Sequence, residues 1–176
     1  MNEARCDFHP DLVRKLREGD ERAFDALYQS TYKAVFRTAY LVLGSPEQAE
    51  DIAQDTFLQL WRHRGRLQEG PLLPWLLKVA TNTCFSFFRR KREFLLEETP
   101  EPRDPHEVNP EDRLFYHQVL ETINGLPKRQ RAIIALRLLH DLSEEETASI
   151  CGCAPGTVRA TLYQAKEKIR RHLGAD

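Results

Sequence analysis

The chain has 176 residues, with 26 Lys and Arg against 27 Asp and Glu, a formal net charge of -1 and a pI near 6.6. That balance excludes a uniformly basic nucleic-acid coat, so any cations that meet phosphates must be segregated along the chain. No apolar run is long enough to span a bilayer and the polar start MNEARCDFHP has no signal-peptide core, so a cytoplasmic protein is expected; Cys6, Cys84, Cys151 and Cys153 are too few and too irregular for a disulfide framework.

Helical periodicity begins at once. Leu12, Leu16, Phe24, Leu27, Tyr28, Val35, Phe36, Ala39, Tyr40 and Leu43 recur at spacings of three and four. Gly19-Asp20 interrupts the first helix, and Asp20 can cap the second. Gly44-Ser45-Pro46 stops that helix and starts another, with Ser45 as N-cap and Pro46 in the first helical position. The third helix is expected to run to about His63. It carries an acidic-polar face of Glu50, Asp51, Gln54 and Asp55 and an apolar one of Ile52, Phe57, Leu60 and Trp61. Gly65 through Pro74 reads as a loop, followed by a helix from about Trp75 to Arg92. That helix ends in CFSFFRRKR, three phenylalanines against four cations. Phe87 and Phe88 fall on the apolar stripe with Leu76, Leu77 and Ala80, while Phe85 is open to either a core or a nucleic-acid reading.

Residues 93–112 change character. Eight carboxylates oppose the single cation Arg103, and Pro100, Pro102, Pro105 and Pro110 break any regular element. This predicts an extended acidic linker between two domains. Periodicity resumes with Leu114, Val119, Leu120, Ile123 and Leu126. Pro127 then opens a helix bearing Ile133, Ile134, Leu136, Leu138 and Leu139. The fold class expected is all-α, with an N-terminal helical domain over 8–93, the linker over 94–111 and a C-terminal domain over 112–174.

The C-terminal stretch LSEEETASICGCAPGTVRATLYQAKEKIRRHL spells a helix-turn-helix. Ser143 and Glu146 form a capping box, Ala148 is small enough for a crossing helix, Gly152 allows the turn, and Pro155 starts the second helix. Val158, Leu162, Ala165 and Ile169 make its buried stripe. Thr157, Arg159, Thr161, Tyr163 and Gln164 are then the candidates for base edges. Arg159 suits a guanine and Gln164 an adenine. Lys166, Lys168, Arg170 and Arg171 suit phosphates.

At these residues the sequence resembles a known family, the extracytoplasmic-function (ECF) group of bacterial sigma-70 factors. GTVRATLYQAKEKIRRHL resembles their recognition helix and AEDIAQDTFLQLWR their core-polymerase-binding helix. PWLLKVATNTCFSFFRRKR resembles the segment that opens and reads the -10 promoter element, and EGDERAFDALYQSTYKAVFRTAY the helices before it. The resemblance implies a transcription initiation factor with two helical domains and a flexible linker. Its implied partners are core RNA polymerase, promoter DNA and an anti-sigma factor, with no membrane contact of its own. It implies that Asp51, Gln54, Asp55, Leu58 and Trp61 meet polymerase, and that Trp75, Lys78, Asn82, Arg89, Arg90 and Arg92 serve the -10 strand. The loop before Trp75 would form part of a pocket for a flipped-out base. Thr157, Arg159, Thr161, Tyr163, Gln164 and Lys166 would serve the -35 element.

Some positions depart from the family's pattern. Ser86 stands where Asp is common, Ala154 replaces a capping Ser or Thr at a cost of about 1 kcal/mol, Thr147 stands at an aliphatic site, and Thr161 and Gln164 replace basic residues. Cys151-Gly-Cys153 is not a zinc spacing and reads as two small residues filling a turn. A helix-turn-helix regulator that binds DNA alone as a dimer is the alternative, opposed by the near-neutral charge and the 49–62 helix. No phosphate-binding glycine loop or nucleophile constellation appears, so no enzymatic activity, cofactor or metal is expected.

Overall fold

A computed structural model describes residues 10–94 and 121–172. The acidic linker and the helix expected from about 113 fall largely outside the described residues. Within them the chain is helical. Helices α1 (Pro10–Glu18), α2 (Glu21–Leu43), α3 (Pro46–His63) and α4 (Leu72–Phe94) form the N-terminal unit, with a 3-10 turn at Arg64–Arg66. Residues 121–124 end a helix, followed by α5 (Lys128–His140), α6 (Glu144–Cys151) and α7 (Pro155–His172).

The boundaries follow local chemistry. The Asp20 carboxylate accepts from the Arg22 and Ala23 amides at 2.8 and 3.2 Å, starting α2. Gly44, at φ 78°, ends α2 in the left-handed region and donates its amide to Tyr40 O at 2.8 Å. The Ser45 hydroxyl then accepts from the Gln48 amide at 3.3 Å, with Pro46 following it. α4 begins at Leu72, not Trp75. Pro74 lies in its first turn, where the missing N–H has no intrahelical partner to lose, and Leu72 and Leu73 are already buried.

α2 is the central helix, packed on α3 and α4. Phe24, Tyr28, Tyr32, Phe36 and Tyr40 recur every fourth residue along it, and Phe57 and Trp61 of α3 meet the first of these rings, Tyr28–Phe57 at 4.8 Å and Phe24–Trp61 at 5.2 Å. Leu16, Leu27, Val35, Leu43, Leu60, Leu76, Leu77 and Cys84 fill the interior.

The two units pack together. α5 lies on α2, and α6 lies on α4. Ala132, Ile133, Leu136, Ala148, Cys151 and Val158 belong to the same buried cluster as the N-terminal core. A second cluster of Ile123, Leu126, Ile134 and Ala165 receives Leu41 of α2. Among the described residues, two buried polar side chains form hydrogen-bond contacts across this boundary. Arg131, 6% exposed, reaches Val42 O at 3.5 Å as well as Leu126 O at 3.0 Å and Asn124 Oδ1 at 3.2 Å. His140, 4% exposed, lies 2.7 Å from the Thr38 hydroxyl. That hydroxyl donates to Ala34 O at 3.0 Å, so its oxygen accepts from a neutral His140 carrying its proton on Nε2.

Burial lowers the His140 pKa to about 4; nearby Arg37 adds to this and Asp141 opposes it. Above about 6.5, where a free histidine is neutral, the packed form incurs no penalty. Between there and about 4 the released histidine binds a proton that the packed one refuses. Stability is therefore expected to fall as pH drops through that window. His140→Gln keeps a donor for Thr38 and removes the titration. Urea midpoints at pH 7 and pH 5 are expected to differ less in this variant than in the unaltered chain.

Candidate nucleic-acid and protein interfaces

The helix-turn-helix is built by α6 and α7. The Ser143 amide donates to Glu146 Oε2 at 2.7 Å and the Glu146 amide to Ser143 Oγ at 3.1 Å, closing the capping box. Gly152, at φ 62°, ends α6 in the left-handed region and donates to Ala148 O, so the chain turns sharply into Pro155. Val158 and Ala165 are buried and Leu162 and Ile169 half-buried, as the stripe requires. Cys151 is buried, which raises its thiol pKa to about 12 and suppresses the reactive thiolate; Cys153 is half-buried.

The opposite side of α7 is open. Thr157, Arg159, Gln164 and Lys166 are exposed and Tyr163 is 69% exposed. At 100° per residue they divide into two flanks: Arg159, Tyr163, Lys166 and Arg170 on one, Thr157, Gln164, Lys168 and Arg171 on the other. Ala160, exposed, and Glu167, half-buried and paired with Arg170, lie between the flanks. Thr161 is the exception. It is 4% exposed and packs inward, so the structure corrects its assignment as a base reader. It adjoins the Val158–Ala165 stripe, and a threonine is apolar enough to join that stripe. The Arg159 guanidinium is held by Glu144 of α6, Nη2 to Oε2 at 2.7 Å and Nε to Oε1 at 3.3 Å. The hydrogen bond from Arg159 draws the Glu144 carboxyl below its usual range. Sequence reasoning missed Glu144 because this partnership spans two helices.

α4 presents a second polar face. Trp75, Lys78, Asn82, Phe85 and Arg89 recur every three or four residues and share one stripe, with Arg90 further round. Lys78, Asn82, Arg89 and Arg90 are exposed; the Arg92 side chain lies outside the described residues. At the head of the stripe, Arg66, Leu67, Gln68, Glu69, Gly70, Pro71 and Leu72 enclose with Trp75 a cleft of about 370 Å³. The three phenylalanines are all half-buried. Phe87 and Phe88 meet edge to face at 6.0 Å. Lys128 lies over the Phe88 ring at 4.6 Å and Arg129 over Phe85 at 5.9 Å, both from α5.

α3 carries the third face. Asp51, Gln54 and Asp55 are exposed, beside a Leu58 that is 50% exposed. Trp61 is half-buried, with Phe24 on its edge and the Arg64 guanidinium over its ring at 4.4 Å. Only part of that ring remains for a partner. No described helix is long and apolar enough to cross a membrane, and no group of metal-ligating side chains occurs among the described residues.

Comparison with known proteins accounts for both units. Residues 27–94 match the family described as Sigma-70 region 2, and residues 116–169 match Sigma-70, region 4. The chain is 30% identical to the ECF RNA polymerase sigma factor SigE of Mycolicibacterium smegmatis, across 88% of this chain and 64% of that protein, so it spans less than two thirds of that relative. It is 29% identical to the ECF RNA polymerase sigma-E factor of Haemophilus influenzae, across 92% and 93% of the two chains. Among solved structures, it resembles the sigma factor RpoE bound to the anti-sigma factor NepR from Bartonella quintana. The TM-score is 0.70 at 25% identity, over 87% of this chain and 98% of that one.

One departure from the helix-turn-helix pattern has a measurable consequence. Thr147 is fully buried in α6 and its hydroxyl has no hydrogen-bond partner among the described residues. A stranded hydroxyl costs on the order of 1–3 kcal/mol. Thr147→Val is expected to stabilise the chain by about 1 kcal/mol, read as a raised urea midpoint at unchanged slope.

Proposed function

The chain belongs to the sigma-70 family, in its ECF group, and from that premise we propose that it is an alternative sigma factor. It binds core RNA polymerase and directs initiation at promoters by reading a -35 and a -10 element. The observation that carries this reading is the presence in one chain of two different exposed polar faces, each suited to a different form of nucleic acid. α7 offers a convex polar face suited to a duplex major groove. α4 offers a stripe headed by a cleft beside Trp75, suited to an unstacked base and the strand that follows it. A regulator that binds duplex DNA alone has no use for the second.

The roles follow from exposure and chemistry. Arg159, with Thr157, Tyr163 and Gln164, reads base edges of the -35 element, and Lys166 contacts phosphate. Asn82 supplies a polar edge to the -10 strand, Lys78, Arg89, Arg90 and Arg92 hold its backbone, and Trp75 walls the base pocket. Asp51, Gln54, Asp55 and Leu58, with the open edge of Trp61, meet polymerase. The domain limits proposed are 8–93, 94–111 and 112–174, a reading supported by matched segments at 27–94 and 116–169. The phosphoryl chemistry belongs to polymerase, so the chain is not an enzyme and works in the cytoplasm where polymerase is. The likeness to a sigma factor caught with its inhibitor supports an anti-sigma partner here too.

The test is reconstitution with sigma-free bacterial core polymerase and a promoter library. Transcripts that require the chain and start downstream of a shared -35/-10 pair are expected. Arg159→Ala should relax the choice at one -35 base pair by roughly 10- to 100-fold, and Lys166→Ala should weaken all sites alike. Tight duplex binding without polymerase, and no transcripts with it, would overturn the assignment in favour of an independent regulator.

A further inference from the structure

Resting on the assignment of α7 as the -35 reader, we propose that Glu144 of α6 determines specificity at one -35 base pair. Its carboxylate holds one edge of the Arg159 guanidinium, leaves the terminal Nη1–Nη2 fork free, and so aims that fork at a guanine. Glu144 acts through Arg159 and is a positioning residue, not a base reader.

The donors of Arg159 divide between the two tasks. Glu144 accepts from Nε at 3.3 Å and from Nη2 at 2.7 Å, which lie on the same side edge of the guanidinium. The end-on fork, one proton from Nη1 and the other from Nη2, is left over. Arg159 makes no other hydrogen bond among the described residues. That fork matches the O6 and N7 acceptors that guanine shows in the major groove. An unanchored arginine has two forks on a flexible stem, and either one serves a phosphate as well as a base. Glu144 occupies one fork and fixes the direction of the other. The Arg159 side chain is 76% exposed and that of Glu144 only 24%, so the anchor is sheltered while the reader stays open.

The anchor itself is held firmly. Glu144 is the first residue of α6, and the start of that helix is tied down on both sides. The capping box joins Ser143 to Glu146. Arg137 of α5 donates to the carbonyl of Leu142, which is buried. The hydrogen bond from Arg159 draws the Glu144 carboxyl down against burial, with the charges of Arg159 and Arg137 adding to it, so the carboxylate stays ionised. A helix N-terminus favours that charge too.

Stability does not explain the pair, because an exposed ion pair adds little to it. Arg170 and Glu167 form a local pair within α7. Arg159 and Glu144 instead join the two helices of the helix-turn-helix across 15 positions. A carboxylate beside the groove also repels phosphate, which weakens binding to every site alike. It favours the correct site only where Arg159 finds its base, and that is how selectivity is gained over affinity.

The test is core-dependent transcription from a promoter library randomised across the -35 element. It compares the unaltered chain with Glu144→Ala, Glu144→Gln, Arg159→Ala and the Glu144→Ala/Arg159→Ala double variant, each with its thermal midpoint. Arg159→Ala identifies the base pair that Arg159 reads. Glu144→Ala is expected to reduce the preference at that same base pair by roughly 10-fold, to leave the other -35 positions as they were, and to keep its midpoint. Added to Arg159→Ala, it should change that position no further. Glu144→Gln, which keeps the shape and one acceptor, should fall between, and it decides the matter if the alanine variant does not fold. A position read by Arg159 but indifferent to Glu144 would overturn the proposal. So would a lowered midpoint with losses spread evenly over the element, which is what a purely structural Glu144 would give. If Arg159→Ala alters no position, this inference falls while the initiation reading stands. If the unaltered chain with core polymerase yields no transcripts, the initiation reading falls and takes this inference with it.

Discussion

The buried guanidinium of Arg131 is the constraint on which the arrangement depends. It stands where three chain ends converge: the C-terminus of α2 at Val42, the helix end at Asn124, and the turn at Leu126 that leads into α5. It also donates to the Asn124 carbonyl. Val42 O and Asn124 O are carbonyls at helix ends that lack an intrahelical partner, and the negative ends of two helix dipoles face the positive charge. Burial alone pulls the Arg131 pKa down, so these carbonyls replace water for an ion that has no described carboxylate partner. Gly44 borders the same junction and is held there by its backbone. At φ 78° a side chain would be strained, although a Cβ would meet Asn124 Oδ1 and Arg131 Nη1 at ordinary contact distances of 3.5 and 3.7 Å. Sequence, helix termination and the packing of the two units meet at this point.

From that junction the functional faces are distributed by charge. The acidic side of α3 points away from the boundary, as does the outer face of α7. The α4 stripe is shared with the boundary through Phe85, beside Phe88 on the neighbouring apolar side of the helix. A net charge of -1 is thus the sum of opposed surfaces, with Asp51 and Asp55 on one helix and Lys166, Lys168, Arg170 and Arg171 on another. In a chain whose surfaces nearly cancel, weak affinity for DNA without a partner is the physical expectation. The CFSFFRRKR stretch places Cys84 in the core and offers the Phe85 and Phe88 rings to two cations of α5.

Much of the fold was legible because its punctuation is local. Asp20, Ser45-Pro46 and Ser143 with Glu146 act on amides two or three residues away, and each caps the helix the sequence assigned to it. The reach of α3 to His63 follows from the same periodicity. What escaped needs a third dimension. Pro74 looks like a loop residue until the burial of Leu72 and Leu73 draws α4 back over it. Thr161 looks like a reader, but it borders the buried stripe, and packing against the rest of the C-terminal unit decides its side. Leu138 and Leu139 look like core, but at 57% and 42% exposure they face outward from α5. Arg131 and His140 carry no sequence signal at all, because a buried cation and a buried histidine look like surface residues until their partners 89 and 102 positions away are known.

The central claim is that the free chain is one packed body. Small-angle X-ray scattering from the purified full-length protein at neutral pH tests it most directly. The packed form predicts a radius of gyration of about 16 Å, slightly raised by the chain outside the helices, and a distance distribution with one maximum. A markedly larger radius with two maxima, as two separated units on an extended tether would give, would contradict the account.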